Sequence, residues 1–294
     1  MVFIRVFEVI FPIFFLTSLG FCWVKFGFEY PIKFITRLSM NIAVPCLIFV
    51  SLMETTIDSE QLFHLAVATS LTYFFIIIFF ACFIKLRKIN FKTYLAPLSF
   101  GNTGNIGLPL AYFAFGEIGL GYAVTIFAVT AILSFSIGIW FISGSTNSLQ
   151  IFKNEPLIIA TILGAFFLIT GWSTPKFLTS TFQLIGQMGI PLMLITLGVA
   201  VAGLKSNDLK NAVGYSLLKV LVCLSVGIII GHVFLLDEIS FSILLLQIST
   251  PVAVTSYLLA NKYHADAKTV AGLVIVSTCI SLITLPTILF FQLL

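Results

Sequence analysis

Charge is scarce in this chain. Of 294 residues, 15 are basic and 11 acidic, about 9%, whereas 60% are apolar and 32 are phenylalanine. A soluble domain carries roughly 25% charged and 45–50% apolar residues. The polar surface here cannot cover a water-soluble globule, which excludes a soluble enzyme and a disordered chain; the mean hydropathy of +1.15 says the same. The apolar runs contain no deep Asp or Glu, which argues against sodium/proton exchange through a titrating intramembrane carboxylate. No His, Asp and Cys set has spacing suited to hydrolysis, a metal or a cofactor, so no enzyme activity is expected. The five cysteines (Cys22, Cys46, Cys82, Cys223, Cys279) fall in apolar stretches without a CxxC pair and read as small packing residues. Nor is there a long polar segment to form a separate domain.

What the chain does have is apolar runs. Ten candidate helices cover 7–24, 33–53, 62–84, 93–115, 119–142, 156–171, 178–203, 211–235, 239–261 and 268–292. Backbone groups in lipid must pair internally, so the runs read as membrane-spanning helices, not as the short alternating strands of a barrel. The first run lacks a small-residue cleavage pattern and reads as retained. Twelve of the fifteen Lys and Arg fall after odd-numbered runs: Lys25, Lys33, Arg37; Lys85, Arg87, Lys88, Lys92; Lys153; Lys205, Lys210; Lys262, Lys268. Positive charge marks the cytosolic side, so the chain is expected in the cell membrane with both termini on the non-cytosolic side. The net charge of +4 is then a property of cytosolic loops and does not point to a nucleic acid.

The two halves resemble each other. Asn41-Ile-Ala-Val-Pro45 in the second run matches Gln187-Met-Gly-Ile-Pro191 in the seventh, and Gly107-Leu-Pro109-Leu-Ala matches Ser249-Thr-Pro251-Val-Ala in the ninth. The division expected is a first five-helix repeat over 1–142, a short cytosolic linker over 143–155 and a second repeat over 156–294. Five being odd, the second copy must be inverted, a pattern that places a transport site where broken helices meet. The most polar stretch inside any run is Gly101-Asn102-Thr103-Gly104-Asn105-Ile106-Gly107-Leu108-Pro109. Each Gly costs a helix interior about 1 kcal/mol and Pro about 3, so this segment is expected to unwind. Pro109 and Pro251 each suit the first turn of a half-helix. Two helix N-termini aimed at one centre, with Asn102, Thr103 and Asn105 as neutral donors, favour an anion, most simply a carboxylate.

At these residues the sequence resembles the auxin efflux carrier family, which includes plant PIN-FORMED carriers and bacterial malate/malonate permease-like proteins. The resemblance rests on Asn102-Thr103, Gly107-Leu108-Pro109-Leu110 and Gly116, on Pro251-Val-Ala-Val-Thr-Ser-Tyr-Leu-Leu-Ala260-Asn-Lys-Tyr263, and on Leu285-Pro286. Pro45, Pro191 and Asn154-Glu155-Pro156-Leu157 also fit. It implies an all-α integral membrane fold of ten helices with helices 4 and 9 broken and crossed, similar to sodium/proton antiporters and bile-acid symporters. It further implies a scaffold of helices 1, 2, 6 and 7, a homodimer, and a mobile unit of helices 3–5 and 8–10 working as an elevator. The short linker departs from the long regulatory loop of many plant members, which puts auxin itself in doubt as the substrate.

The substrate-binding set expected is Asn102, Thr103, Gly104, Asn105, Gly107, Pro109, Thr250, Pro251 and Thr255, with Asn41, Pro45, Pro191, Gln247 and Lys219 close by. The partners expected are a small organic anion, the lipid bilayer and a coupling H+ or Na+. Lys219, the one charge well inside a run, could counter a substrate carboxylate, bind carbonyls of an unwound segment, or reach along its stem to the interface. His64 and His232, near the outer face, read as solvated interfacial groups or as groups that couple protons, and Gly227-Ile-Ile-Ile-Gly231 as a close-packing motif, internal or for dimerisation. The alternatives kept open are a sodium-coupled symporter of the bile-acid type and a non-transporting sensor or channel on the same scaffold.

Overall fold

The computed structural model describes residues 2–143, 156–205 and 209–294. The linker expected over 143–155, including Lys153 and Asn154-Glu155, lies outside these apart from Ser143. Among the described residues eleven helical elements succeed one another: α1 (Val2–Lys25), α2 (Ile32–Met53), α3 (Ser59–Arg87), α4 (Phe91–Ser99), α5 (Thr103–Ile142), α6 (Pro156–Thr170), α7 (Lys176–Gly203), α8 (Leu209–Val233), α9 (Glu238–Ile248), α10 (Val254–Lys262) and α11 (Ala267–Gln292). The β pairing among them is limited to an isolated antiparallel bridge between Gly101 and Val252.

Seven of these helices (α1, α2, α3, α5, α7, α8 and α11) are long and apolar enough to cross a membrane. The ten expected runs all carry helix, but by length they are not ten crossings. The fourth run is cut after Ser99, and its second part continues into the fifth run across a bend at Gly116 (φ 63°, ψ −149°). The sixth is the 15-residue α6, and the ninth divides into the short α9 and α10. The surface is inverted relative to a soluble protein. Phe3, Phe7, Phe11 and Phe15 recur every four residues along α1 and all are exposed, as suits a helix face against lipid. The chain is a multi-pass membrane protein.

Polar residues stop and satisfy the helices. Asp58, Asn90, Asp237 and Asp266 each accept a backbone N–H from the first turn of the following helix, removing donors that a helix end leaves bare. Within the apolar helices, Thr69, Thr72, Thr130 and Thr278 turn their hydroxyls back onto the carbonyl four residues earlier. The prolines of α2 and α7 have a common effect. A wider turn at Ser39–Ala43 precedes Pro45, and a one-residue interruption at Met188 precedes Pro191, because a proline in a helix offers no N–H to the carbonyl four residues back.

The main packing runs α1 on the second half of α7 and α2 on both α6 and α7; elsewhere α3 packs on α4 and α5, α9 on α5, and α8 on α11. At α1–α7 the backbones touch, since a side chain at Gly198 would run into the Thr17 carbonyl. Gly227 and Gly231 face Ile248 and Phe241 of α9, so that motif packs internally. The cysteines, expected as small packing residues, are spread over both kinds of helix face: Cys22, Cys82 and Cys279 are exposed, Cys46 is half-buried and Cys223 is fully buried. An apolar helix has a lipid face as well as a core face, and hydropathy does not distinguish them.

A crossover of two broken helices

The two gaps in the helical framework meet. α4 ends at Ser99, Phe100 is extended (φ −105°, ψ 132°), and Gly101 lies antiparallel to Val252. One residue on, the Asn102 N–H donates to the Pro251 carbonyl at 2.7 Å. On the other strand α9 stops at Ile248; the Thr250 hydroxyl folds back onto the Gln247 carbonyl at 2.6 Å, and the Val252 N–H donates to Ser277 Oγ at 2.9 Å. Gly101 is required by proximity, since a side chain there would strike Thr250, and at Gly107 one would strike the Gln247 amide.

Asn102 begins the next helix. Its Oδ1 accepts from Asn105 N–H at 3.3 Å, and its carbonyl takes the N–H groups of both Ile106 and Gly107, winding Thr103–Gly107 into one wide turn. The half-helix therefore starts at Thr103, not at Pro109, which lies more than a turn inside it. Pro251 is likewise displaced from its expected place: it sits in the extended crossing, and α10 starts at Val254. The physical reason is that a proline permits a helix start, whereas Asn102 supplies the hydrogen bonds that make one. Two helix N-termini still converge here, each with leading N–H groups that have no intrahelical partner.

Hydrogen bonds and close approaches join Asn102, Gly107, Gln247, Thr250, Pro251 and Lys219 into one buried cluster. Thr103 and Gly104 are buried in the same turn and Asn105 is half-buried. Lys219 is buried to its end and does not reach the interface; its Nζ donates to the Thr250 carbonyl at 3.0 Å. Asn102 Nδ2, both amide atoms of Gln247, and the hydroxyls of Ser99, Ser216 and Ser249 are buried without a hydrogen-bond partner among the described residues. Unpaired buried donors and acceptors are costly, and six of the ten such atoms among the described residues belong to Ser99, Asn102, Ser216, Gln247 and Ser249.

Other expected residues lie elsewhere. Thr255 is exposed on α10 and Asn41 is exposed on α2. Pro45 borders an apolar cleft with Phe49 and Pro156. Pro191 lines a cavity of about 670 Å³ with Leu47, Tyr112, Phe113, Gln187, Glu54 and Glu117; none of the buried cluster is in the wall of this cavity. Four serines of the crossover and its surroundings, Ser99, Ser216, Ser249 and Ser277, are absent from the set expected from sequence. Ser216 sits one turn before Lys219 on the same helix face and was legible from spacing. Ser277, which takes the Val252 N–H from within an apolar run, carries no local signal.

A family model described as "Membrane transport protein" matches the chain twice, over residues 5–155 and 139–289. An uncharacterized transporter of Methanocaldococcus jannaschii is 25% identical over 279 residues, covering 86% of this chain and 87% of that protein. An uncharacterized transporter of Methanothermobacter thermautotrophicus is 26% identical over 265 residues, covering 86% of each. With both halves matched by the family model and the resemblance at the crossover residues, the chain belongs to the auxin efflux carrier family of membrane transport proteins.

Proposed function

We propose that the chain is a secondary carrier for a small organic anion, a carboxylate, bound at the crossover and moved by alternating access. The observation that carries this reading is the meeting of the two breaks through Asn102 and Pro251, with unpaired amide atoms of Asn102 and Gln247 buried beside it. Helix N-termini and neutral amides recognise an anion without a strongly basic lining. Asn102, Thr103, Asn105 and Gln247 make the polar contacts in this reading.

The chain on this reading crosses the cell membrane ten times as two inverted five-helix repeats, with both termini outside. The double family match supports the repeat. On this reading three crossings are not counted by length alone: α6; α9 and α10 taken together as one broken helix; and the second that α5 makes when it is divided at Gly116. The packing of α1, α2, α6 and α7 on one another supports a scaffold, with a homodimer interface on it, against which the remaining helices travel as an elevator. The test is counterflow in proteoliposomes preloaded with unlabelled dicarboxylates, monocarboxylates or indole acids, under imposed pH, sodium and voltage gradients. A carrier gives saturable counterflow of at least one class. Flux without saturation or counterflow identifies a channel, and no flux with any anion overturns the reading.

A further inference from the structure

Lys219 is the one charged side chain buried among the described residues, at 1% exposure, and no Asp or Glu is buried with it. Its ammonium reaches from the middle of α8 to the Thr250 carbonyl, two residues past the last residue of α9. A helix C-terminus carries partial negative charge and carbonyls without intrahelical donors. In carriers with discontinuous helices, these ends and the unwound carbonyls next to them are where a coupling cation is held. An ammonium has three donors and no acceptor. Thr250 takes one, and Ser216 Oγ, one turn back on the same helix, is a buried oxygen without a partner.

We propose that the Lys219 ammonium is a tethered cation that stands in for a coupling metal ion at the α9 break, so that the carrier cycles without sodium. The charge is supplied by the chain itself, stays with the break throughout the cycle, and balances the carbonyl end of α9. Lys219 is thus a positioning residue, acting on the crossover through Thr250. The consequence for coupling rests on reading the crossover as the transport site. The effect of Lys219 on stability does not, so the two can fail separately.

The experiment is thermal unfolding of the purified full chain in detergent, at constant ionic strength, in choline, sodium, potassium or methylammonium chloride. The wild-type midpoint is expected to be the same in all four salts. Lys219→Ala lowers it by about 5 °C or more, and methylammonium, but not choline, recovers part of the loss in a saturable way. Lys219→Met, which keeps the stem but removes the donor, is destabilised and not recovered. A saturable stabilisation of wild type by sodium overturns the proposal, as does a folded Lys219→Ala that ignores methylammonium. Should Lys219→Ala fail to fold, the wild-type salt series and Lys219→Met decide: a Met variant as stable as wild type overturns it.

Discussion

Individual atoms at the crossover set the first predictions. Asn102 makes three backbone hydrogen bonds through its own carbonyl and N–H and a fourth through Oδ1, and still has Nδ2 free of a protein partner. Asn102→Ala keeps the backbone bonds and loses only the amide. Losing one hydrogen bond to a charged group costs about 1.5–3 kcal/mol, so counterflow is expected to fall at least about tenfold with membrane insertion intact; unchanged kinetics would remove Asn102 from the site. Gly107→Ala drives a methyl into the Gln247 amide, an overpacking worth about 1–3 kcal/mol. The midpoint of unfolding should therefore drop, and Gln247→Ala in the same chain should recover part of it; a strictly additive double variant would refute the contact. Much of this was legible in the residues themselves, because glycine, asparagine and proline concentrate where a helix cannot continue. Which residue starts the helix was not legible. That depended on Asn102 meeting Pro251, a residue far along the chain, and on Ser277 receiving the Val252 N–H.

At the scale of elements, the helices on one side are held by their caps. Asp237 accepts N–H bonds from Ile239 and Ser240 and lies 3.2 Å from the Tyr122 hydroxyl, which also reaches Gln61. One carboxylate thus ties the start of α9 to α5, and through Tyr122 to α3. Burial pushes its pKa up, but the hydrogen bonds from Ser240, Tyr122 and Ile239 outweigh this and hold it below the ordinary 3.8. A depressed folded value means the stabilisation is complete above about pH 4 and is lost as pH falls through the folded pKa. Asp237→Ala is expected to cost about 1 kcal/mol, read as a lower midpoint near neutral pH. Asp237→Asn should retain most of the cap and lose less stability than wild type between pH 6 and pH 3; an equal acid loss in both would show that other carboxylates dominate. The sequence displayed this cap plainly, as an acid before an apolar run. It did not display the link to Tyr122, which joins residues more than a hundred positions apart.

For the whole molecule, sidedness is the property most open to test. After replacing the five native cysteines by serine, Thr56→Cys between α2 and α3 and Arg87→Cys at the end of α3 report opposite faces. A membrane-impermeant maleimide is expected to label the first in intact cells and the second only in opened ones; the reverse pattern would invert the topology. That expectation rests on charge placement, since lysine and arginine sort by side, and the labelling pattern decides it. The number of crossings was less readable. Hydropathy counts apolar length, and it joins α9 to α10 and leaves α6 short without showing how either sits. The clip between Gly101 and Val252 also bears on how the protein is made. Its partners are about 150 residues apart, so the pairing cannot form until the second half has been made. During synthesis the first half enters the bilayer with the Asn102 N–H unmatched, and it must wait there until Pro251 arrives. A ribosome that stalls before Pro251 leaves an inserted but unfinished protein, and quality control has a polar segment at membrane depth by which to recognise it.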